Sequence, residues 1–270
     1  MLVSVVVPAL NERENIPQTI DAIPVEKLRS EGHDTEIVIV DNGSTDGTGN
    51  LARKLGAKVI VQPVRGYGNA YMAGFANCSG EIIATGDADR TYPFEILPEV
   101  VSTLENENID FLTTNRLAGL RPGAMSRSHL WGNKGLSMVA RHLFGVPFRD
   151  SQSGMWVFRR KVWSSLRLRS GGMAFSQEIK VEAFRYGFNC VEMPITYSPR
   201  GGESKNRTIT DGLCNLTQLL IERMRPSVSA ERRGYADAAA FLDTPEAFQA
   251  ADPPSICSVC SNQTVPGFTY

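Results

Sequence analysis

Two carboxylates one residue apart, Asp87 and Asp89, stand just past an apolar, β-branched run, Glu81-Ile82-Ile83-Ala84-Thr85. The run reads as a buried strand. Gly86 lets the chain turn, and ligands of open α/β sheets bind beyond the carboxyl ends of the strands. A carboxylate pair at that place suits a hard divalent cation that also holds substrate phosphates, because Mg²⁺ takes only one or two protein carboxylates. An isolated Asp-x-Asp is more often an acidic turn. The strand in front of it brings metal binding level with that reading.

The elements that must position the pair alternate. Leu2 to Val7 reads as a short buried strand stopped by Pro8, and Asn11 with Glu14 reads as a capping box for a helix carrying Ile16, Ile20 and Ile23. Glu36 to Val40 is a second strand, followed by Asp41-Asn42-Gly43-Ser44-Thr45-Asp46-Gly47 and a helix bearing Leu51, Ala52 and Leu55. Lys58 to Val61 is a third, leading through Arg65-Gly66-Tyr67-Gly68-Asn69-Ala70 into another helix. This alternation predicts a parallel, doubly wound sheet. Further on, strands are expected over Asp110 to Thr114 and Asn189 to Tyr197, and helices over Ser126 to Phe144, Met173 to Tyr186 and Thr210 to Arg225. Met155 to Phe158 is an apolar segment of unassigned direction. From Pro226 onward periodicity fades, which predicts a folded unit over 1–225 and a flexible tail over 226–270.

At 270 residues the chain can bury a sizeable core. A formal net charge of −1 argues against nucleic acid as a partner, so anion binding must be local. No apolar run approaches the roughly 20 residues that span a bilayer. The start reads as a strand rather than a signal peptide. Cys78, Cys190 and Cys214 are expected to be reduced, in a cytoplasmic protein. Cys257 and Cys260 form one CxxC without the second pair that a structural zinc site needs.

A dinucleotide-binding domain would place Gly-x-Gly-x-x-Gly straight after the first strand. Here Pro-Ala-Leu-Asn-Glu stands there instead, and Gly66-Tyr67-Gly68 comes later without the third glycine. Five other segments run in order: Val-Pro-Ala-Leu-Asn-Glu, Val-Asp-Asn-Gly-Ser-Thr-Asp-Gly-Thr, Gly-Asp-Ala-Asp, Asp-Ser-Gln-Ser-Gly and Arg-Gly-Gly-Glu-Ser-Lys. Together they resemble the family 2 glycosyltransferases of GT-A fold, and more narrowly the polyprenyl-phosphate (dolichol-phosphate) mannosyl- and glucosyltransferases. The narrower likeness leans on the last two segments and on Asn115-Arg116-Leu117.

The resemblance implies a Rossmann-like α/β fold, with a mixed, mostly parallel sheet flanked by helices. It implies metal-dependent, inverting transfer of a hexose from a nucleotide diphospho-sugar, of GDP-mannose or UDP-glucose type, to a polyprenyl phosphate. A hydroxyl acceptor, or a silent nucleotide-sugar binding protein, is the alternative. Pro8, Asn11 and Glu12 would line the nucleoside pocket and Asp41 would contact the base; capping and turn roles are compatible with these residues. A second Asp is common in the family where this chain has Asn42. Gly68 and Ala70 would admit the nucleotide, or simply pack tightly. Asp87, Ala88 and Asp89 would face the diphosphate, Asp87 and Asp89 holding Mg²⁺ or Mn²⁺, with Asp89 the direct ligand. Thr91 stands where mannosyltransferases often carry Gln, with Arg90 before it.

The second half would carry the acceptor site. Arg116, Arg200 and Lys205, and more weakly Arg127, are suited to gripping phosphate oxygens, although surface charge is the usual fate of such residues. Glu178 would orient the sugar or act as base, or be an exposed helix residue. Family members often end in transmembrane helices. A lipid acceptor would therefore require peripheral docking on the cytoplasmic face of a membrane, through the Trp131 to Phe148 segment and the Thr210 to Arg225 helix, with Lys134, Arg141, Arg223 and Arg225 near lipid phosphates. Completing the core or a homo-oligomer contact is the plainer use of those faces.

Overall fold

The computed structural model describes residues 1–201 and 208–224. Among these residues, seven strands form one sheet: β1 (Leu2–Ala9), β2 (Asp34–Asp41), β3 (Lys58–Val61), β4 (Ile82–Thr85), β5 (Phe111–Asn115), β6 (Trp156–Arg159) and β7 (Cys190–Pro194). Their spatial order is β3-β2-β1-β4-β6-β5-β7. β6 runs antiparallel to both β4 and β5, and the other pairs are parallel. The sheet is thus mixed and mostly parallel.

The antiparallel strand fixes where the site lies. Because β6 pairs beside β5 in the opposite direction, with Phe111 opposite Phe158 and Thr113 opposite Trp156, the chain leaves β5 and re-enters β6 at one edge of the sheet. Everything between them, residues 116–155, is in effect one elaborated hairpin connection. It stands at the carboxyl edge, where β4 delivers Asp87 and Asp89.

Nine helices surround the sheet in the described residues: α1 (Ile16–Asp21), α2 (Val25–Ser30), α3 (Thr48–Lys54), α4 (Tyr67–Asn77), α5 (Leu97–Asn106), α6 (Arg127–Phe144), α7 (Arg160–Ser165), α8 (Phe175–Arg185) and α9 (Thr208–Met224). One core joins Val3, Val5 and Val7 of β1 to Ile16, Leu28, Leu97, Val101 and Leu104. The other joins Val6, Val38 and Val40 to Tyr71, Phe75, Val162, Phe175 and Ile179. Alternate residues of β1 feed opposite cores, as the two-residue period of a strand requires. Burying each large apolar side chain contributes about 1.5–3 kcal/mol.

Several boundaries differ from expectation. β1 continues through Pro8, which pairs with Val40. Its missing N–H costs little there, because pairing with β4 has already ended at Val6 opposite Thr85. Asn11 and Glu14 do not cap a helix. Asn11 has φ 52° in a loop, and α1 begins at Ile16 after Asn15. Helices α2, α5 and α7 were not anticipated. The expected tail over 226–270, with Cys257 and Cys260, lies outside the described residues. Cys78 and Cys190 are free thiols, as expected, whereas Cys214 is disulfide-bonded.

Helix α9 is arranged against its own pattern. The spacing of Leu213, Leu216, Leu219, Leu220 and Met224 is that of one apolar face, yet Leu213, Leu216, Leu220 and Met224 are exposed at 64, 40, 51 and 78%. Leu219 turns inward together with Asn215, Gln218 and Glu222. Those polar groups are largely paired, the Asn215 side-chain oxygen excepted. Gln177 donates to Gln218 at 2.9 Å, Asn215 donates to Gln152 at 3.0 Å, and Arg185 meets Glu222 at 2.8 Å. No helix among the described residues is long and apolar enough to cross a membrane.

Candidate active site

Asp87 and Asp89 follow β4 directly, and each is held differently. Asp89 is buried, and its Oδ1 accepts from the Thr91 amide at 3.1 Å and the Thr91 hydroxyl at 2.7 Å. Thr91 therefore buttresses Asp89. Asp89 Oδ2 receives no aligned hydrogen bond and lies 2.6 Å from Arg200 Nε. Asp87 is half-buried, and the Tyr67 hydroxyl donates to it at 3.2 Å. Burial and then the neighbouring Asp89 charge push the Asp87 carboxyl up to about 7, against the opposing pull of Arg200, Tyr67 and Arg116.

Two crowded carboxylates, one of them pushed to neutral pH and the other with an oxygen lacking a hydrogen bond, are a donor set that a divalent cation relieves. Among the described residues no group of three or more His, Cys, Asp or Glu converges. A cation here would thus take Asp87 and Asp89 and complete its shell with donor phosphates and water, which fits Mg²⁺ or Mn²⁺.

A shell of tyrosines, absent from the sequence expectations, supports the pair. Tyr71 donates to the carbonyls of Gly86 and Gly154 at 3.3 Å each. The Tyr92 hydroxyl accepts from the Gly154 amide at 2.6 Å. A Cβ on Gly154 would collide with the Tyr67 hydroxyl, so glycine is required where this loop meets Asp87. Tyr67 lay in view inside Gly66-Tyr67-Gly68, but nothing in its sequence neighbourhood aims it at Asp87.

Arg116 is not an open phosphate grip. It is buried, and its Nε and Nη2 hold the Asp150 carboxylate at 2.8 and 2.9 Å, while its backbone amide adds a third bond at 3.0 Å. The guanidinium also lies over the Tyr197 ring, 5.4 Å from its centroid. Burial alone would raise the Asp150 carboxyl, but the Arg116 charge and hydrogen bonds outweigh it and hold Asp150 below the usual carboxylate range. Asp150 was visible as the head of Asp-Ser-Gln-Ser-Gly without an assigned partner. Lys180, unsignalled in the sequence, is wholly buried and donates to the carbonyls of Asp150, Ser151 and Ser153 at 3.0, 2.9 and 2.7 Å. Burial pushes its ammonium down to about 7, although Asp150 favours the charge.

Glu178 does not stand as an exposed helix residue or as a base open to the cleft. It is fully buried, and its carboxylate accepts from the amides of Arg169 and Ser170 at 3.1 and 2.8 Å. Burial raises its carboxyl. The segment it holds covers Gly68, where a Cβ would strike the Ser170 carbonyl, and Gly171 accepts from the Asn69 amide at 3.0 Å. Gly68 and the buried Ala70 thus pack tightly at the start of α4. Arg127 is exposed at the first turn of α6, and Lys205 lies outside the described residues.

The loops after β1, β2 and β3 are stitched into one rim. Asn11 Oδ1 accepts from Thr45 N at 2.8 Å, and the Glu12 amide donates to Thr48 at 2.9 Å. Asp41 accepts from Ser44 N at 2.9 Å, and its side chain lies over Gly49. Asn42 donates to the carbonyls of Gln62 and Val64 at 3.0 and 2.8 Å and accepts from Gly66 N at 2.8 Å, so an amide rather than a carboxylate belongs at that position. The rim reaches the acids. Asn15 donates to Glu12 at 2.7 Å and to the Gly201 carbonyl at 2.8 Å, and Gly201 N donates to the Asp89 carbonyl at 2.9 Å. Pro8 is half-buried at the end of β1, and the Ala88 carbonyl accepts from Thr19 at 2.9 Å.

The family model described as glycosyl transferase family 2 matches residues 4–167, a span that takes in the strand, the acids and the Asp150 loop. The chain belongs to this family. A low-salt glycan biosynthesis hexosyltransferase, Agl6, of Haloferax volcanii is 37% identical over 81% of this chain and 53% of its own length. A dolichyl-phosphate hexose transferase of the same organism is 34% identical over 63% of this chain and 73% of its own. The chain therefore spans about half the length of the first of these relatives. Glucosyl-3-phosphoglycerate synthase of Mycobacterium tuberculosis, solved with Mn²⁺, uridine diphosphate and phosphoglyceric acid, superposes with a TM-score of 0.66 at 26% identity. That alignment covers 83% of this chain and 79% of the synthase.

Proposed function

We propose that this glycosyltransferase moves a hexose from a nucleotide diphospho-sugar to a polyprenyl phosphate. The observation that carries the acceptor is a pair of outward stripes. On α6, Arg127, Trp131, Lys134, Met138 and Arg141 recur at helical spacing, Trp131 and Met138 are 72 and 67% exposed, and the helix contains no acid. On α9 the exposed leucines sit over a polar buried face. Apolar residues outside and paired polar ones inside favour a covered outer face, and cations among them favour anionic lipid. A cytoplasmic location, peripheral to a membrane, belongs to the same proposal.

In this reading the rim residues Pro8, Asn11, Glu12 and Asp41 hold the nucleoside, and Asp87 and Asp89 hold Mg²⁺ or Mn²⁺ against the diphosphate. When bound, the cation supplies Lewis-acid neutralisation of charge on the leaving nucleoside diphosphate. An acceptor phosphate oxygen attacks the anomeric carbon from the face opposite the leaving group. The bond from that carbon to the diphosphate oxygen breaks, the diphosphate keeps the electron pair, and the configuration inverts. A phosphate monoester is already anionic near neutral pH and needs no general base. Arg200, beside Asp89, is the cation placed to steady it, and Arg116 orders the Asp150 loop from within.

A hydroxyl acceptor is the second reading, favoured by the likeness to a synthase solved with phosphoglyceric acid. Radiolabelled donor separates the two. Label passing into organic-extractable lipid supports the polyprenyl phosphate, and label confined to a water-soluble product replaces it with the hydroxyl acceptor.

A further inference from the structure

Behind the turn that carries Asp87 and Asp89 lies a groove of about 440 Å³, between α1, residues 90–96 and the segment after β7. Asp87, Asp89 and Arg200 are not among its walls. Arg90 and Arg121 are, and Glu95 is the single acid beside them among the described residues. Neither guanidinium makes a hydrogen bond or ion pair among the described residues, and the side chains of Gln18 and Ser198 on the same walls are likewise uncommitted. Ile96, Met193 and Ile195 give the groove an apolar side.

Two features mark this as more than surface charge. Like charges lining one groove repel, and two arginines against one glutamate leave it net positive. Arg90 also holds φ 65°, the left-handed region that a long side chain enters only at a cost. Such strain persists where surrounding structure imposes it and is concentrated at binding sites. The resemblance to known transferases gave Arg90 no role. Tyr92 forms part of the wall and meets Gly154 with its hydroxyl, so the groove and the catalytic cluster back onto the same ring.

We propose that this groove is a second anion site, which takes the phosphate or carboxylate of a small ligand with an apolar portion, gripped by Arg90 and Arg121. Planar guanidinium groups bind such anions bidentately. The apolar wall selects for a body attached to the charge. Occupancy fixes Arg90 and, one peptide bond away, Asp89. The site does not depend on which acceptor the transferase uses.

The test is thermal unfolding of the full chain in EDTA at constant ionic strength, titrated with inorganic phosphate, phenyl phosphate or chloride. EDTA keeps metal-assisted binding at Asp87 and Asp89 out of the measurement. Phosphate is expected to raise the midpoint in the millimolar range, and phenyl phosphate to act at lower concentration. Arg90→Gln and Arg121→Gln, both at exposed positions, should each weaken the response about tenfold, the loss of one charge-assisted hydrogen-bonding group. Arg90→Gly should raise the unliganded midpoint, because glycine accepts the left-handed backbone, while still losing the response. A double Arg90/Arg121 variant that responds as wild type does, or a wild type that responds to chloride as it does to phosphate, overturns the site. So does a response lost in Arg200→Ala but kept in the double variant, since the anion would then sit at the catalytic cluster.

Discussion

Arg200 occupies the flank of Asp89 where a cation would bind: its Nε lies 2.6 Å from Asp89 Oδ2, and the following amide, Gly201 N, donates to the Asp89 carbonyl at 2.9 Å. The guanidinium is the charge that accompanies two crowded acids. Its own ionisation is pushed further up by Asp89 and Asp87, against the burial that would lower it. An arginine and a divalent ion beside one carboxylate repel each other. Arg200→Ala is therefore expected to bind Mn²⁺ about tenfold more tightly than wild type in the absence of nucleotide. Electron paramagnetic resonance of free Mn²⁺ measures this directly. Unchanged or weaker binding in the variant shows that Arg200 does not compete with the metal.

The Arg116–Asp150 pair predicts a stability phenotype where sequence reasoning expected a kinetic one. Removing Arg116 leaves a buried carboxylate without its partner, a defect worth about 3–5 kcal/mol. Arg116→Ala should show that loss in urea denaturation. Arg116→Met combined with Asp150→Leu should recover much of it, since neither member of the pair is then left charged without the other. Equal stability of Arg116→Ala and wild type would contradict the buried pairing.

Lys180 gives a pH signature. Its ammonium, ordinarily at 10.5, is pushed down to about 7 by burial in the folded chain. Between those values the unfolded chain binds more protons, so the Lys180 contribution to stability rises with pH across that window and is constant below about 7. The urea midpoint of wild type relative to Lys180→Met should shift in favour of wild type from pH 7 to pH 10. A difference that stays flat means the three carbonyls keep the proton on throughout.

Glu178→Gln should act on the loop it holds. Two amides, from Arg169 and Ser170, point at the carboxylate, and a glutamine cannot accept from both as well. The expected cost is about 1–2 kcal/mol of stability, with a rise in donor KM as the cover over Gly68 loosens. The turnover number should fall less than tenfold. A drop of about 10²–10⁴ in turnover at unchanged stability would instead mark Glu178 as a general base.

What the sequence determined by itself was local and ordered. Alternating strand and helix, the Asp87–Asp89 pair after β4 and five segments in family order were enough for the fold class and for the glycosyltransferase family. These are properties of short windows, where period and turn chemistry act over a few residues. Only the tertiary structure decided which partners those residues meet. Arg116 and Asp150 are 34 residues apart and join because β6 runs antiparallel beside β5 and brings both ends of the connection to one edge. Tyr67 reaches Asp87 across 20 residues, and Lys180 reaches Asp150 across 30. Helix α9 makes the distinction clearest. Its spacing of leucines marks a face, but whether that face turns inward depends on what waits beneath it. Gln152, Gln177 and Arg185 pair with most of a polar face, so the polar side is buried and the leucines are left outside.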